Sequence, residues 1–211
     1  MNILDAVETV VDRRPDALYV SALGTVTAAL RSVSHDGPHL YFGGAMGSAA
    51  AAALGVAERV APRLVVALVG DGEMLMSVRT LWSIAGLHPE NLLIVVMVDG
   101  RYAMTGGQRI EAAVTFAEAA AALPGIHAVR AASRTELAHA VDEVGLPGLI
   151  EAMLDDQVKP AASPFVDPHK VRLAFQAEVA RGVSDDKAPG LVAAAGAGRL
   201  AGSPRRPGVR A

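Results

Sequence analysis

Asp71 stands between two glycines in the segment ALVGDGEMLM (residues 67–76), where a run of aliphatics gives way to a helical pattern, and Glu73 follows two positions on. A second acid, Asp99, closes the next aliphatic run, LLIVVMVDG, with 26 residues between it and Gly72. That interval accommodates one helix and one returning strand, so the two carboxylates can converge at one sheet edge. Gly70 and Gly72 would let the backbone approach an anion, the next helix would aim free N–H groups at it, and Asp71 would hold a cation. A phosphate with a divalent metal satisfies all three. A hard cation such as Mg²⁺ takes about six oxygens and shares them among one or two carboxylates, phosphates and water, which makes Asp99 a natural second ligand. The plainer reading is a turn residue, because Asp and Gly are favoured wherever the chain reverses.

Other stretches after apolar runs are SALGTVT (21–27), GGAMGSAAAAALG (43–55) and VDGRYAMTGGQ (98–108). GGAMG lacks the full GxGxxG dinucleotide pattern, so close helix packing is enough to explain it, and Met46 reads as a gap filler in a core. The six histidines form no HExxH motif, His35 and His39 fall in a Pro/Gly-containing loop, and no serine sits in a GxSxG setting. There is no cysteine, which removes disulfides, thiolate zinc sites and a cysteine nucleophile.

The elements that must position these residues follow from the apolar pattern. Strands are expected at Ala17–Val20, Leu40–Phe42, Leu64–Val69, Leu92–Val98, His127–Val129 and Leu149–Met153. The third and fourth are nearly all aliphatic, as in strands buried on both faces of a parallel sheet. An amphipathic helix opens the chain around Ile3, Leu4, Val7, Val10 and Val11. Further helices are expected at Val26–Arg31, Gly47–Arg59, Met74–Ala85, Thr115–Ala122 and Arg134–Glu143, the last with a capping box from Ser133 and Glu136. The alternation predicts an α/β fold, a doubly wound, mostly parallel sheet flanked by helices, with ligands at the carboxyl ends of the strands.

At 211 residues and 52% hydrophobic, the chain suits one domain of ordinary size, placed at 1–155. Residues 156–181 read as an extension with a short helix over Asp167–Val179, and 182–211, rich in Gly, Ala, Pro and Arg, as a disordered tail. A net charge of −3 gives no basic field for nucleic acid or an anionic membrane. The acidic N-terminal stretch is unlike a secretion signal and no apolar run spans a bilayer, so the expected location is cytoplasmic.

GDG followed after about this interval by an oxygen ligand resembles the cofactor motif of thiamine diphosphate enzymes. GAMG (Gly44 to Gly47) is similar to the loop they place under the thiamine ring, and LGT (Leu23 to Thr25) to an upstream phosphate-contacting loop. The longer pattern GDGEMLM…HPENLLIVVMVDGRYAMTGGQ looks like the 2-oxo acid decarboxylase branch, in particular the sulfopyruvate decarboxylase β subunit and the matching half of phosphonopyruvate decarboxylase. The resemblance covers residues 1–155 and extends toward DPHKVRLAF.

That resemblance implies thiamine diphosphate and Mg²⁺ as cofactors. Asp71, Asp99 and the backbone carbonyl of Arg101 would hold the metal. Gly24, Thr25, Gly70, Gly72 and Glu73 would line the diphosphate, with Tyr102, Ala103 and Met104 beside them. Gly44 would accept the aminopyrimidine's amine, and Ala45 and Met46 would underlie the rings, Met46 wedging between them. The product would be an aldehyde and CO₂ from a small anionic 2-oxo acid, for which Arg101, Arg109 and His39 are candidate contacts. The family's activating glutamate belongs to a pyrimidine-binding domain, so the resemblance implies a separate α subunit in an α2β2 or larger assembly. A carboligase or oxidoreductase subunit would share these residues, and a noncatalytic scaffold is the remaining alternative. Two positions depart from the family: Asp99, where Asn is usual, adds negative charge beside a diphosphate, and Glu73 replaces a small residue and must turn its carboxylate away.

Overall fold

In the computed structural model, which describes residues 1–111, 115–155 and 167–181, the strands are β1 (Leu18–Ser21), β2 (Leu40–Tyr41), β3 (Val65–Gly70), β4 (Leu92–Val98), β5 (Arg101–Tyr102), β6 (Gln108–Arg109), β7 (His127–Ala131) and β8 (Gly148–Met153). Six of them form one sheet in the order β2–β1–β3–β4–β8–β7, and every neighbouring pair is parallel. β5 and β6 make a separate antiparallel hairpin that the apolar pattern did not announce. Residues 156–166 and the expected tail at 182–211 lie outside the described residues.

Side chains alternate across each strand, and both faces of the sheet are covered. Val65, Ala67, Val69, Leu92, Ile94 and Val96 point to the face packed by α3 (Ala49–Val60), α4 (Asp71–Ser77), α5 (Thr80–Leu87), α6 (Phe116–Ala121) and α8 (Pro168–Arg181). Val66, Leu68, Leu93, Val95 and Met97 point to the other, packed by α1 (Ile3–Arg13), α2 (Gly24–Val33) and α7 (Arg134–Glu143). Each fully buried aliphatic contributes roughly 1.5–3 kcal/mol, which explains why the all-aliphatic runs occupy the middle. Among the described residues no helix is long and apolar enough to cross a membrane.

Helix ends follow local chemistry. Asn2 caps α1 by accepting the N–H of Asp5 at 2.9 Å. Ser133 caps α7 through the N–H of Glu136, whose own carboxylate returns to the N–H of Ala132, one residue before the expected partner. The single helix expected over Met74–Ala85 is two. Ser77 ends α4 by donating its hydroxyl back to the carbonyl of Glu73 at 3.2 Å, a local bond that competes with the helical ladder, and Val78 and Arg79 turn the chain into α5. α2 begins at Gly24, two residues before the expected start, so this loop glycine is itself the first helical residue.

His39 is not a surface cation. It is 6% exposed, set edge-on between the rings of Tyr19 and Tyr41, with Nε2 against the Ser34 hydroxyl at 2.8 Å. Burial lowers its pKa from 6.5 to about 4. Because the folded value is depressed, this contribution to stability is complete above pH 6.5 and is lost as pH falls through about 4. Urea unfolding at pH 7 and pH 4 is therefore expected to show the wild type losing about 3 kcal/mol more than His39→Gln. Equal losses in the two proteins would contradict this account.

Candidate functional site

The parallel register sets the site. Ser21 at the end of β1 lies opposite Leu68, and Gly70 at the end of β3 lies opposite Met97. The loops after β1, β3 and β4 therefore leave the sheet side by side. The chain runs outward to β2 on one side of β1 and to β3 on the other, which places them at a topological switch point. A cleft of ≈ 620 Å³, including its open mouth, lies over these ends. Of the residues expected in the site, Gly24, Thr25, Met46, Gly70, Asp71, Gly72, Glu73, Asp99, Arg101, Tyr102, Ala103 and Met104 line it. Gly44 and Ala45 do not, lying exposed on the preceding loop.

Asp71 is 4% exposed, and both of its oxygens accept backbone N–H groups at 2.7 Å: Oδ1 from Gly72 and Oδ2 from Gly100. Burial raises its pKa to about 6, against the pull of those two donors, and the charge of Asp99 raises it further. A carboxylate so placed is poorly balanced when ionised, and a cation between it and Asp99 would reverse both unfavourable effects. Asp99 is half-buried, with Oδ1 accepting the N–H of Arg101 at 2.9 Å. Among the described residues no three His, Cys, Asp or Glu side chains gather as a metal cage. A cation here would complete its shell with backbone carbonyl, phosphate or water oxygens, as Mg²⁺ commonly does. The donor set thus fits a hard cation bound together with a phosphate group.

Glu73, 5% exposed, turns its carboxylate away from the cleft floor to the start of α3, where Oε1 accepts the N–H of Ala49 at 3.2 Å. Burial raises its pKa to about 7, opposed by the N–H groups of Ala49 and Gly47. Gly72 is required by close approach rather than by its backbone angle. A Cβ there would stand 2.5 Å from Cε1 of Tyr102 and 3.2 Å from Cε of Met46. Gly44, by contrast, has open space around it.

The hairpin β5–β6 walls the cleft, and its turn is held by Thr105 and Gln108. The Thr105 hydroxyl donates to Gln108 Oε1, and Gln108 Nε2 returns to the Thr105 carbonyl, each at 2.8 Å. Thr105 lines the cleft but was not singled out from the sequence; the readable sign was its spacing around the Gly106–Gly107 pair, where φ is +120° and +76°. Ile3, Met97 and Leu154 are apolar lining that lies outside the loop motifs, and Leu23 and Val26, within SALGTVT, line it as well. Arg101 and Arg109 face one another across the hairpin, both exposed; Arg101 lines the cleft and Arg109 an adjoining polar pocket that Asp99 shares. His39, the third expected contact for an anion, is absent from the lining because it is packed beneath the two tyrosines.

Residues 23–152 match the family described as thiamine pyrophosphate enzyme, C-terminal TPP binding domain. Over 117 residues the chain is 39% identical to a phosphonopyruvate decarboxylase of Streptomyces hygroscopicus, spanning 56% of this chain and 29% of that one. Over 127 residues it is 35% identical to a sulfopyruvate decarboxylase subunit beta of Methanothermobacter thermautotrophicus, spanning 60% of this chain and 68% of that one. The solved thiamine diphosphate-dependent 4-hydroxybenzoylformate decarboxylase of Rhodococcus jostii RHA1 aligns with a TM-score of 0.62 at 21% identity, over 75% of this chain and 33% of that one. That last likeness bears on the fold alone. The first relative is thus matched over less than a third of its length, the β subunit over about two thirds. With the matched segment running from the loop after β1 to the end of β8, this chain belongs to the thiamine pyrophosphate enzymes, as their C-terminal TPP-binding domain.

Proposed function

We propose that this chain is the diphosphate-binding subunit of a cytoplasmic, Mg²⁺-dependent decarboxylase of a small anionic 2-oxo acid, with a separate pyrimidine-binding subunit completing the site. The observation that carries the reading is the buried Asp71 carboxylate, oriented by two backbone donors and lining, with Asp99, a cleft gathered from the family's cofactor segments. The named β-subunit relative supports a division between two chains, since sulfopyruvate decarboxylase there has a subunit beta.

Asp71, Asp99 and the Arg101 carbonyl are the proposed metal ligands, with Thr25 and the backbone of Glu73 facing the diphosphate. The Gly72 N–H is already given to Asp71, so Gly72 serves through its missing side chain, which admits Tyr102 and Met46. Met46 supports the cofactor's rings, and the exposed Gly44–Ala45 segment lies where a second chain closes over them. When bound, thiamine diphosphate supplies an electron sink for the bond to CO₂. This chain's part is to hold the diphosphate end, neutralise its charge and keep water from the apolar wall made by Leu23, Val26 and Met104. Arg101 and Arg109 offset the added negative charge of Asp99.

Asp71→Asn is expected to weaken Mg²⁺-dependent thiamine diphosphate binding on the order of 100-fold in calorimetric titration of the assembled enzyme, the upper end of what loss of an outer-shell group costs. Asp99→Asn, which keeps an oxygen ligand at a position where Asn is usual in the family, should stay within about threefold of wild type, whereas Asp99→Ala should not; Asp71→Asn differs because both Asp71 oxygens accept backbone N–H groups, one of which an amide nitrogen would oppose. Unchanged affinity in Asp71→Asn and Asp99→Ala would remove both residues from the metal site. The isolated chain with cofactor and Mg²⁺ is expected to release no aldehyde from sulfopyruvate or phosphonopyruvate until the partner is added; an ordinary turnover rate from the chain alone would end the two-subunit reading.

A further inference from the structure

Glu73 is a buried acid in the site for which the proposed chemistry has no use. Its carboxylate accepts the N–H of Ala49, the first residue of α3. Ser48, immediately before α3, makes no side-chain cap of its own. An acceptor from another element, 24 residues along the chain, thus takes one of the backbone donors that the start of a helix leaves without an intrahelical partner, and its carboxyl lies at the positive end of the helix.

Two independent contacts fasten the same loop to α4. Gly47 has φ +85°, and a Cβ on it would come 2.9 Å from Cβ of Met76. Met46 ends against Gly72, with Cε 3.2 Å from the place a Cβ would take. Residues 46, 47 and 49 are therefore tied in succession to residues 72, 76 and 73.

We infer that Glu73 is a positioning residue, whose carboxylate anchors the start of α3 to α4 and so fixes where Met46 enters the cleft. The part played by Met46 toward the cofactor rests on the function proposed above; the anchor itself rests only on these contacts. Glu73 can stand beside a diphosphate site because its carboxyl is directed to the α3 terminus. What the loop needs is the acceptor oxygen at that distance, so Gln should replace Glu while Ala or Asp should not.

The test compares Glu73→Gln, Glu73→Asp and Glu73→Ala in the full chain by amide hydrogen exchange and by NMR of methionine methyls. Glu73→Ala and Glu73→Asp should lower protection of the Ala49 amide at least about tenfold and move the Met46 methyl resonance, with the core Met97 methyl unmoved; Glu73→Gln should restore both. Wild-type protection and Met46 shift in Glu73→Ala overturn the inference, as does a Gln variant that folds yet behaves like Ala. Thiamine diphosphate with Mg²⁺ is then added in the presence of the partner subunit. A Met46 response that is the same in wild type and Glu73→Ala overturns the positioning role and leaves the family reading intact. No response in wild type, with the exchange results as expected, instead defeats the cofactor role assigned to this site.

Discussion

A carboxylate buried at the end of a strand is the constraint around which the rest of this structure is arranged. Removing Asp71 from water is unfavourable, and two backbone N–H groups only partly offset the cost, since its pKa remains raised to about 6. Those donors come from different strand ends. Gly72 belongs to the start of α4, directly after β3, and Gly100 to the turn after β4. One side chain therefore joins two adjacent loops at a spacing that the parallel register alone sets only coarsely. Asp99 is drawn close by the same arrangement, and the resulting negative charge is what makes the cleft a place for a cation.

α4 is the second organising element, although it is only one residue longer than β3. It carries Asp71 at its first position, lacks a side chain at Gly72 where Tyr102 and Met46 come together, and sends Glu73 to α3. So short a helix gains little from its own hydrogen bonds and takes its stability from what packs on it. Segments from two separate parts of the chain, residues 46–49 and 100–102, do so here, and a disturbance to α4 should be felt at both.

The central strands could be read from the sequence because β3 and β4 are buried on both faces and leave no polar residue to confuse the pattern. The converging acids were legible for the same reason, since the interval between Gly72 and Asp99 admits little except a helix and a strand. Other features were decided by contacts that no local pattern records. His39 carries a side chain compatible with solvent or core, and only the placement of Tyr19 and Tyr41 settled which. The hairpin β5–β6 has two residues per strand, Arg–Tyr and Gln–Arg, too short and too polar for an apolar period to appear. The division of α4 from α5 falls at Val78 and Arg79, which keep right-handed helical angles, so no break in the residue pattern marks it. The direction taken by Glu73 depends on a loop 24 residues earlier.

The two borders of the sheet bear on how this protein can meet other chains. β2 contributes only two residues, so one border offers scarcely any unpaired backbone. At the opposite border, β7 is five residues long and bears exposed His127 and Arg130, the latter anchored to the buried Glu151 of β8. A short strand at one side and the charged Arg130 at the other both discourage the addition of a further strand. Association through a continuous intermolecular sheet is thereby disfavoured, and specific assembly falls to helix faces and loop ends, whose shapes can discriminate among neighbours as bare backbone cannot.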